Sequence, residues 1–159
     1  VPGVGPSAAR LMVVGEAPGE EDDLIGARLV GRDGQSITKL LGQVGISKED
    51  CYVTSAIKCW PRSSIQDTHV QACKPWLWKE LEAVRPRVVL TFGRIPARLL
   101  LKLKKNFKMA DVVGRVHEVN YMSSKVLPWY SSTWVLQGGK KADNATLAFL
   151  TSLKEHLVD

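Results

Sequence analysis

The sequence predicts an α/β domain in which helices cover both faces of a parallel sheet. Four short apolar segments have the composition of buried strands, and amphipathic helical patterns separate them. Strands that alternate with helices favour parallel pairing, because each crossover helix carries the chain back to the edge where the previous strand began. A length of 159 residues suits a single domain over residues 1–159, which we expect to be part of a longer chain.

The four predicted strands are defined by apolar runs and by the residues that close them. Gly15 and Gly93 follow the first and third strands, and Pro128 is expected to end the fourth. The second strand is rich in β-branched and aromatic residues. The predicted strands are Leu11–Val14, Cys51–Ile57, Val88–Phe92 and Val126–Trp129.

Four helices are predicted from apolar stripes at helical spacing. Ile37, Leu40 and Leu41, for example, recur at i, i+3 and i+4, and Gly45 supplies a stop signal. The predicted helices are Ser36–Val44, Val70–Val84, Ile95–Lys105 and Ala145–Leu157.

A loop follows each predicted strand, and three of the four loops are long and polar. In open α/β sheets the ligand binds at the carboxyl ends of the strands, and long loops are often functional. These loops are therefore the expected ligand site, with simple surface insertions as the alternative. They are Glu16–Gln35, Lys58–Thr68, Gly93–Arg94 and Tyr130–Lys141.

The charge and the cysteine content limit the classes of binding partner and of cellular compartment that the sequence favours. The formal net charge is +6, which favours a polyanionic partner. Acidic residues cluster at Glu16–Asp23 and basic residues at Lys102–Lys108 and Lys140–Lys141, so we expect a phosphate-binding face apart from an acidic pocket.

Three cysteines without a secretion signal argue against a disulfide framework. No apolar run reaches the roughly 18 residues of a membrane span, so we expect a cytoplasmic protein (host cytoplasm for a phage, nucleus for a eukaryote).

The loop after the first strand is framed by glycines. Pro18 and Gly19 predict a tight turn, and Gly31 and Gly34 precede a helix. Glycines allow backbone N–H groups to approach a ligand closely. The loop is neither a Walker motif, which needs Gly-Lys-Ser/Thr, nor a G-x-G-x-x-G dinucleotide motif.

Taken whole, the segment Gly15–Gln35, GEAPGEEDDLIGARLVGRDGQ, resembles the first motif of the iron–sulfur (family 4) uracil-DNA glycosylases. That motif reads GEAPG, an acidic run and G-x-P-F-V-G-x-x-G-Q. The resemblance implies a three-layer α/β/α fold with a four-stranded parallel sheet, and a flipped base held at the strand ends. It covers nearly the whole chain, continuing through Tyr52–Thr54, Lys58-Cys59, Ala72–Leu77, Pro86–Gly93 and Pro128–Leu136.

The base pocket that the resemblance implies has three altered recognition residues. Leu29 stands where the family stacks uracil on Phe, which forgoes about 1–3 kcal/mol of stacking. Ser55 replaces the Asn that reads the uracil edge, and Ser131 replaces the His that stabilises the departing anion. Each loss is expected to cost roughly two orders of magnitude, so efficient uracil excision of the usual kind is not expected. The implied pocket residues are Gly15, Ala17, Pro18, Gly19, Leu29, Ser55 and Ser131.

Glu16 is the remaining catalytic candidate. The resemblance implies that it positions a water or stabilises positive charge on the sugar. The alternative is that its carboxylate accepts backbone N–H groups and only holds the loop. The neighbouring run Glu20–Asp23 is expected to be a solvated face rather than a metal site.

Cys59 and Cys73 match two of the four ligands that the family uses for a [4Fe–4S] cluster. The other two ligands, in a C-x-x-C pair, are expected upstream of Val1. The alternative is that the cluster is lost and both are structural thiols. Cys51 is expected to be a core residue.

The DNA surface is expected around the loops. Trp129 and Trp134 flank the last motif, where aromatic residues can stack on bases or wedge a duplex, or simply pack the loop. Basic residues nearby suit backbone phosphates. The predicted DNA contacts are Arg32, Gly34, Gln35, Lys58, Arg62, Trp129, Ser132, Trp134, Lys140 and Lys141.

Three functions are compatible with these observations. The first is a DNA-binding domain with weak or no classical uracil excision, a pseudoenzyme or weakly active relative that could belong to a replication or repair protein, for instance of phage type. The second reading is an active DNA glycosylase, a hydrolase of base excision with altered base choice. The third is a protein-interaction module of a replication complex. The expected partners are accordingly DNA and other domains or subunits of such a complex.

Overall fold

One five-stranded sheet runs through the computed structural model, which describes residues 1–158. The strands are β1 (Leu11–Gly15), β2 (Tyr52–Ser55), β3 (Val88–Phe92), β4 (His117–Glu118) and β5 (Lys125–Trp129). Their order is β2-β1-β3-β5-β4, with β4 antiparallel to β5 and every other pair parallel. The predicted α/β fold is confirmed, and the four predicted strands are the parallel ones. The sheet has a fifth strand that the sequence does not predict, because the two residues of β4 carry no periodicity.

Six α-helices surround the sheet. They are α1 (Glu20–Ile25), α2 (Arg32–Gln43), α3 (Asp67–Val84), α4 (Arg94–Leu101), α5 (Ser132–Gln137) and α6 (Gly139–Lys154). Short 3-10 turns lie at Lys48–Asp50 and Met109–Asp111. None of the helices within residues 1–158 combines the length and apolarity that a membrane span requires.

Two apolar cores lie on opposite faces of the sheet, because successive strand side chains point to opposite sides. On one face Leu11 and Val13 of β1 pack with α2, α5 and α6. On the other face Met12 and Val14 pack with α3 and α4. This double burial explains why the parallel strands are apolar at nearly every position, and each fully buried aliphatic side chain contributes about 1.5–3 kcal/mol.

Several predicted boundaries differ from the structure for local reasons. The predicted helix Ile95–Lys105 ends at Leu101, because Lys102 takes a left-handed φ of 53°. The acidic run Glu20–Asp23 forms the first turn of α1, where all of its residues except the buried Asp22 are exposed. Pro128 does not end β5; it remains inside the strand, where its carbonyl accepts the Gly114 N–H at 2.9 Å.

Two glycines of α2 allow a matched test of packing beside the loop that precedes this helix. A Cβ at Gly34 would overlap the backbone of Leu29, whereas a Cβ at Gly42 meets open space. We expect Gly34→Ala to lower the free energy of unfolding by about 1–3 kcal/mol through overpacking. Gly42→Ala should raise it by roughly 0.5–1 kcal/mol, the ordinary gain of alanine over glycine in a helix. Urea titration of both variants measures the difference, and equal effects would contradict this account.

Candidate functional site

A cavity of about 270 Å³ lies at the carboxyl ends of β1, β3 and β5. Its position agrees with the expectation for an open parallel sheet. The loop after β1 forms one wall, and the starts of α2 and α5 form the others. The lining residues are Val13, Gly15, Glu16, Ala17, Asp22, Arg28, Leu29, Asp33, Gly34, Ile37, Ile65, Phe92, Ser131, Ser132 and Thr133.

Glu16 lies at the junction of this cavity and the start of α4. Burial raises the pKa of Glu16 above its ordinary value, against the attraction of the Arg94 guanidinium and a hydrogen bond from the Arg94 backbone N–H. A Cβ at Gly93 would overlap the Glu16 carboxylate, and Gly93 has a φ of +98°. Gly93 is therefore needed both for its backbone conformation and for the close approach of Glu16. Glu16 thus lines the cavity and also accepts a backbone hydrogen bond.

The loop between β1 and α2 is organised by the buried carboxylate of Asp22. Arg28 Nη1 donates to Asp22 Oδ2 at 2.6 Å, and both side chains are at least 93% buried. The backbone N–H groups of Gly19, Val30 and Gly31 also donate to this carboxylate, at 3.2, 2.9 and 3.3 Å. The sequence does not predict this cluster, because an aspartate in an acidic run normally faces solvent.

Leu29 lines the cavity in a strained conformation. It is buried and takes a left-handed φ of 62°, which is uncommon for a residue other than glycine. It packs directly against Gly34 of α2. The structure thus places the predicted pocket residue Leu29 in the wall, with the predicted contact Gly34 supporting it from behind.

Phe92 supplies an aromatic ring that the sequence reading missed. It is the last residue of β3 and lines the cavity while belonging to the apolar core. Its position in a continuous apolar strand favours a core role, so the sequence alone gave no sign of it. The cavity therefore has an aromatic side chain although Leu29 has none.

The remaining predicted pocket residues divide into two groups. Gly15, Ala17 and Ser131 line the cavity, and Ser131 Oγ also accepts the Trp134 N–H at 3.1 Å. Ser55 is fully buried and donates to the Ile57 carbonyl, outside the cavity lining. Pro18 and Gly19 also lie outside it; Gly19 is the capping residue that immediately precedes α1.

Six of the ten predicted DNA contacts are exposed, whereas Gly34 and Trp129 are buried and Lys58 and Ser132 are half-buried. Lys58 Nζ is half-buried and bonds Glu80 and Thr54, so it is held in an internal network. Trp129 stacks on Phe149 with ring centroids 4.4 Å apart and is 92% buried. Long-range partners thus enclose two side chains that look accessible in sequence. The exposed contacts are Arg32, Gln35, Arg62, Trp134, Lys140 and Lys141.

Ser132 and Trp134 extend the rim of the cavity. Ser132 Oγ donates to Asp33 Oδ2 at 2.7 Å, which ties the start of α5 to the start of α2. Trp134 is 38% exposed and stacks on Tyr130 with ring centroids 4.2 Å apart. Their contact leaves a stacked aromatic pair at the surface beside the cavity.

Cys59 and Cys73 lie at one corner of the domain. The backbone N–H of Lys58 donates to Cys73 Sγ at 3.4 Å, and Cys59 is the next residue and exposed. Thiolates that accept N–H bonds are suitable cluster ligands, but two thiols are half of the set that a cluster needs. Within residues 1–158, no three Cys, His, Asp or Glu side chains are grouped closely enough to hold a metal ion. Cys51 is buried, as expected.

Comparison with known proteins identifies relatives over most of the chain. The family model described as the Uracil DNA glycosylase superfamily matches residues 2–154. A Type-4 uracil-DNA glycosylase of Archaeoglobus fulgidus is 38% identical over 130 residues, which are 79% of this chain and 65% of the relative. One of Saccharolobus solfataricus is 37% identical over 133 residues, 80% of this chain and 61% of the relative. The chain thus spans less than two thirds of the length of these two relatives.

A larger protein also contains a similar region. A DNA polymerase of Bacillus phage SP01 is 26% identical over 144 residues. The match covers 89% of this chain but only 15% of the polymerase. Sequences of this type therefore also occur inside much longer proteins.

Because the pKa of Glu16 is raised in the folded protein, we expect this residue to make the free energy of unfolding depend on pH. In the folded protein the group ionises at a higher pH than in the unfolded chain, so its ionisation destabilises the fold. We expect Glu16→Gln to raise the free energy of unfolding at pH 7. The gain should shrink as the pH falls through the raised pKa and vanish below about pH 4, the ordinary range of Glu. Chemical denaturation across this pH range measures it, with the exposed Glu155→Gln as control for the loss of one negative charge. A gain that does not change with pH would contradict the assignment.

Proposed function

The chain belongs to the uracil-DNA glycosylase superfamily, and from this premise we propose that it is a DNA-binding domain that holds an extrahelical base without efficient classical uracil excision. The observation that carries the proposal is the cavity at the strand ends, which retains its loop frame but has Leu29 and Ser131 in its lining. Leu29 offers no ring face for stacking. A serine hydroxyl cannot become cationic opposite a departing anion, as a histidine can.

The charge distribution supports contact with a nucleic-acid backbone near the cavity. Arg94 donates to the carbonyls of Lys105 and Phe107, at 2.7 Å each, so the basic segment 102–108 lies close to Glu16. Lys140 and Lys141 are exposed at the start of α6. Exposed cationic side chains in these two segments suit contacts with a phosphate backbone.

An active glycosylase with altered base choice is the second candidate. Two observations favour it: Glu16 lines the cavity with a raised pKa, and Phe92 supplies a ring. A buried carboxyl group of this kind can position a water or stabilise charge on the sugar. The base would then differ from uracil, because the groups that read uracil in the family are changed.

We also propose that the domain serves a larger replication or repair protein. The support is the similarity to a region of a phage DNA polymerase, in which the matching part is 15% of the whole. A purely protein-binding accessory module is less well supported, because both the cavity and the basic segments favour a nucleic-acid ligand.

Cys59 and Cys73 are proposed as two ligands of an iron–sulfur cluster in the longer protein. The amino group of Val1 donates to the Lys58 carbonyl, so residues before Val1 in such a chain would start beside these thiols. A bound cluster would supply a rigid cross-link between chain segments. Iron and acid-labile sulfide content of the longer protein, compared with its Cys73→Ser variant, checks the proposal.

DNA binding should depend steeply on salt. Each phosphate contact made by a cation contributes a slope of about −0.9 to log K against log salt. We expect the double variant Lys140→Gln/Lys141→Gln to reduce the magnitude of the slope of log K against log salt by about 2. The matched control is Lys154→Gln at the other end of α6, which should leave the slope unchanged. Fluorescence anisotropy with single-stranded DNA measures it, and salt-independent binding would refute the proposed DNA contact.

Excision separates the two candidate functions. The main proposal predicts no abasic product above background from oligonucleotides that contain uracil. The second candidate predicts abasic product from hypoxanthine, xanthine or a mismatched base, and loss of that product in Glu16→Gln, roughly a hundredfold or more. Alkaline cleavage of labelled oligonucleotides measures both. Efficient uracil release that survives Glu16→Gln would contradict both accounts.

A further inference from the structure

The cavity contains a buried guanidinium that is only partly paired. The Arg28 side chain is 6% exposed, and its Nη1 donates to Asp22. Its Nε, however, has no hydrogen-bond partner within residues 1–158. Leaving a buried N–H of a charged group unsatisfied costs free energy, so such a group in a native structure requires an explanation.

The guanidinium lies against the cavity at the end of β1. Arg28 lines the cavity together with Glu16 and Phe92. A Cβ at Gly15 would overlap Arg28 Nη2, so the absence of a side chain at Gly15 lets the guanidinium lie there. The cavity is therefore lined by an apolar ring, a carboxyl group and a guanidinium whose enclosed Nε has no hydrogen-bond partner within residues 1–158.

The surrounding charges limit what this donor group can bind. Asp22 and Asp33 line the same cavity as Arg28, and both act on the Arg28 pKa in the raising direction, against the lowering caused by burial. A phosphate or carboxylate ligand would face these aspartates and Glu16, which disfavours an anion. A guanidinium only donates hydrogen bonds. The ligand best matched to the site is thus neutral and offers acceptors.

We infer that Arg28 makes the pocket selective for bases that carry oxo acceptors, and that a 6-oxopurine is the best ligand. The inference rests on the proposed function, in which the cavity holds a base. The O6 and N7 atoms of a 6-oxopurine are neighbouring acceptors that a guanidinium binds in bidentate fashion. Adenine and cytosine present an amino donor at the corresponding edge, which would face the donors of Arg28.

Direct binding to oligonucleotides with a single base tests this selectivity. The probes are single strands in which one position carries hypoxanthine or adenine and all other positions are abasic. A fully abasic strand reports backbone binding alone. We expect the wild-type chain to bind the hypoxanthine strand roughly ten- to a hundredfold more tightly than the adenine strand.

Two variants of the site distinguish a binding role from a structural one. Arg28→Lys keeps the charge opposite Asp22 but loses the planar fork, and should reduce the preference to a fewfold at most. Asp22→Asn/Arg28→Met removes both charges, so no unpaired carboxylate remains, and should abolish the preference. Arg10→Lys, an exposed arginine before β1, should not alter it.

The outcomes separate this inference from the proposed function. Equal wild-type affinity for the hypoxanthine and adenine strands, with normal binding of the abasic strand, would overturn the role of Arg28 alone. If Arg28→Lys keeps the full preference for the hypoxanthine strand over the adenine strand, the role of Arg28 is also overturned. This holds even if the double variant does not fold. Absence of binding to all three strands at low salt would overturn the proposed DNA binding as well.

Discussion

The buried carboxylate of Asp22 is the interaction on which the pocket depends. It accepts hydrogen bonds from Gly19 before α1, from Arg28, and from Val30 and Gly31 before α2. One side chain therefore joins both ends of the loop that forms a wall of the cavity. Removing one partner of a buried ion pair costs about 3–5 kcal/mol. Loss of the Asp22 interaction would therefore destabilise the loop and, with it, the wall of the pocket.

Two glycines then bring the remaining walls into contact with this loop. Gly34 lets α2 lie against the strained backbone of Leu29, and Gly93 lets Glu16 reach the start of α4. In both places a side chain on the glycine would collide with a group that lines the cavity. The frame of the pocket is thus set by the Asp22 carboxylate and by the close approach that these two glycines allow.

The sequence predicts the frame better than the interior, for a physical reason. Strand periodicity and turn residues are local signals, so the parallel strands and the loops after them could be predicted. Whether a polar group is buried depends instead on its partner. That partner is either distant in sequence or is itself a charged residue in a polar segment, where the sequence pattern predicts exposure. Asp22 and Arg28 are charged residues in a polar loop, and only their pairing takes them out of water. Lys58 and Trp129 are further examples, because their partners Glu80 and Phe149 are distant in sequence.

The interior of the cavity contains an aromatic ring and a guanidinium that the sequence does not predict there. Leu29 provides no ring, yet Phe92 provides one from β3; Ser131 provides no cation, yet Arg28 provides donors at the end of β1. Desolvating a buried pair such as Arg28 and Asp22 costs several kcal/mol per ion, and an apolar replacement of similar volume is often as stable. Stability alone is therefore a weak explanation for this pair. The ligand that we propose for Arg28 supplies a functional reason for retaining the pair.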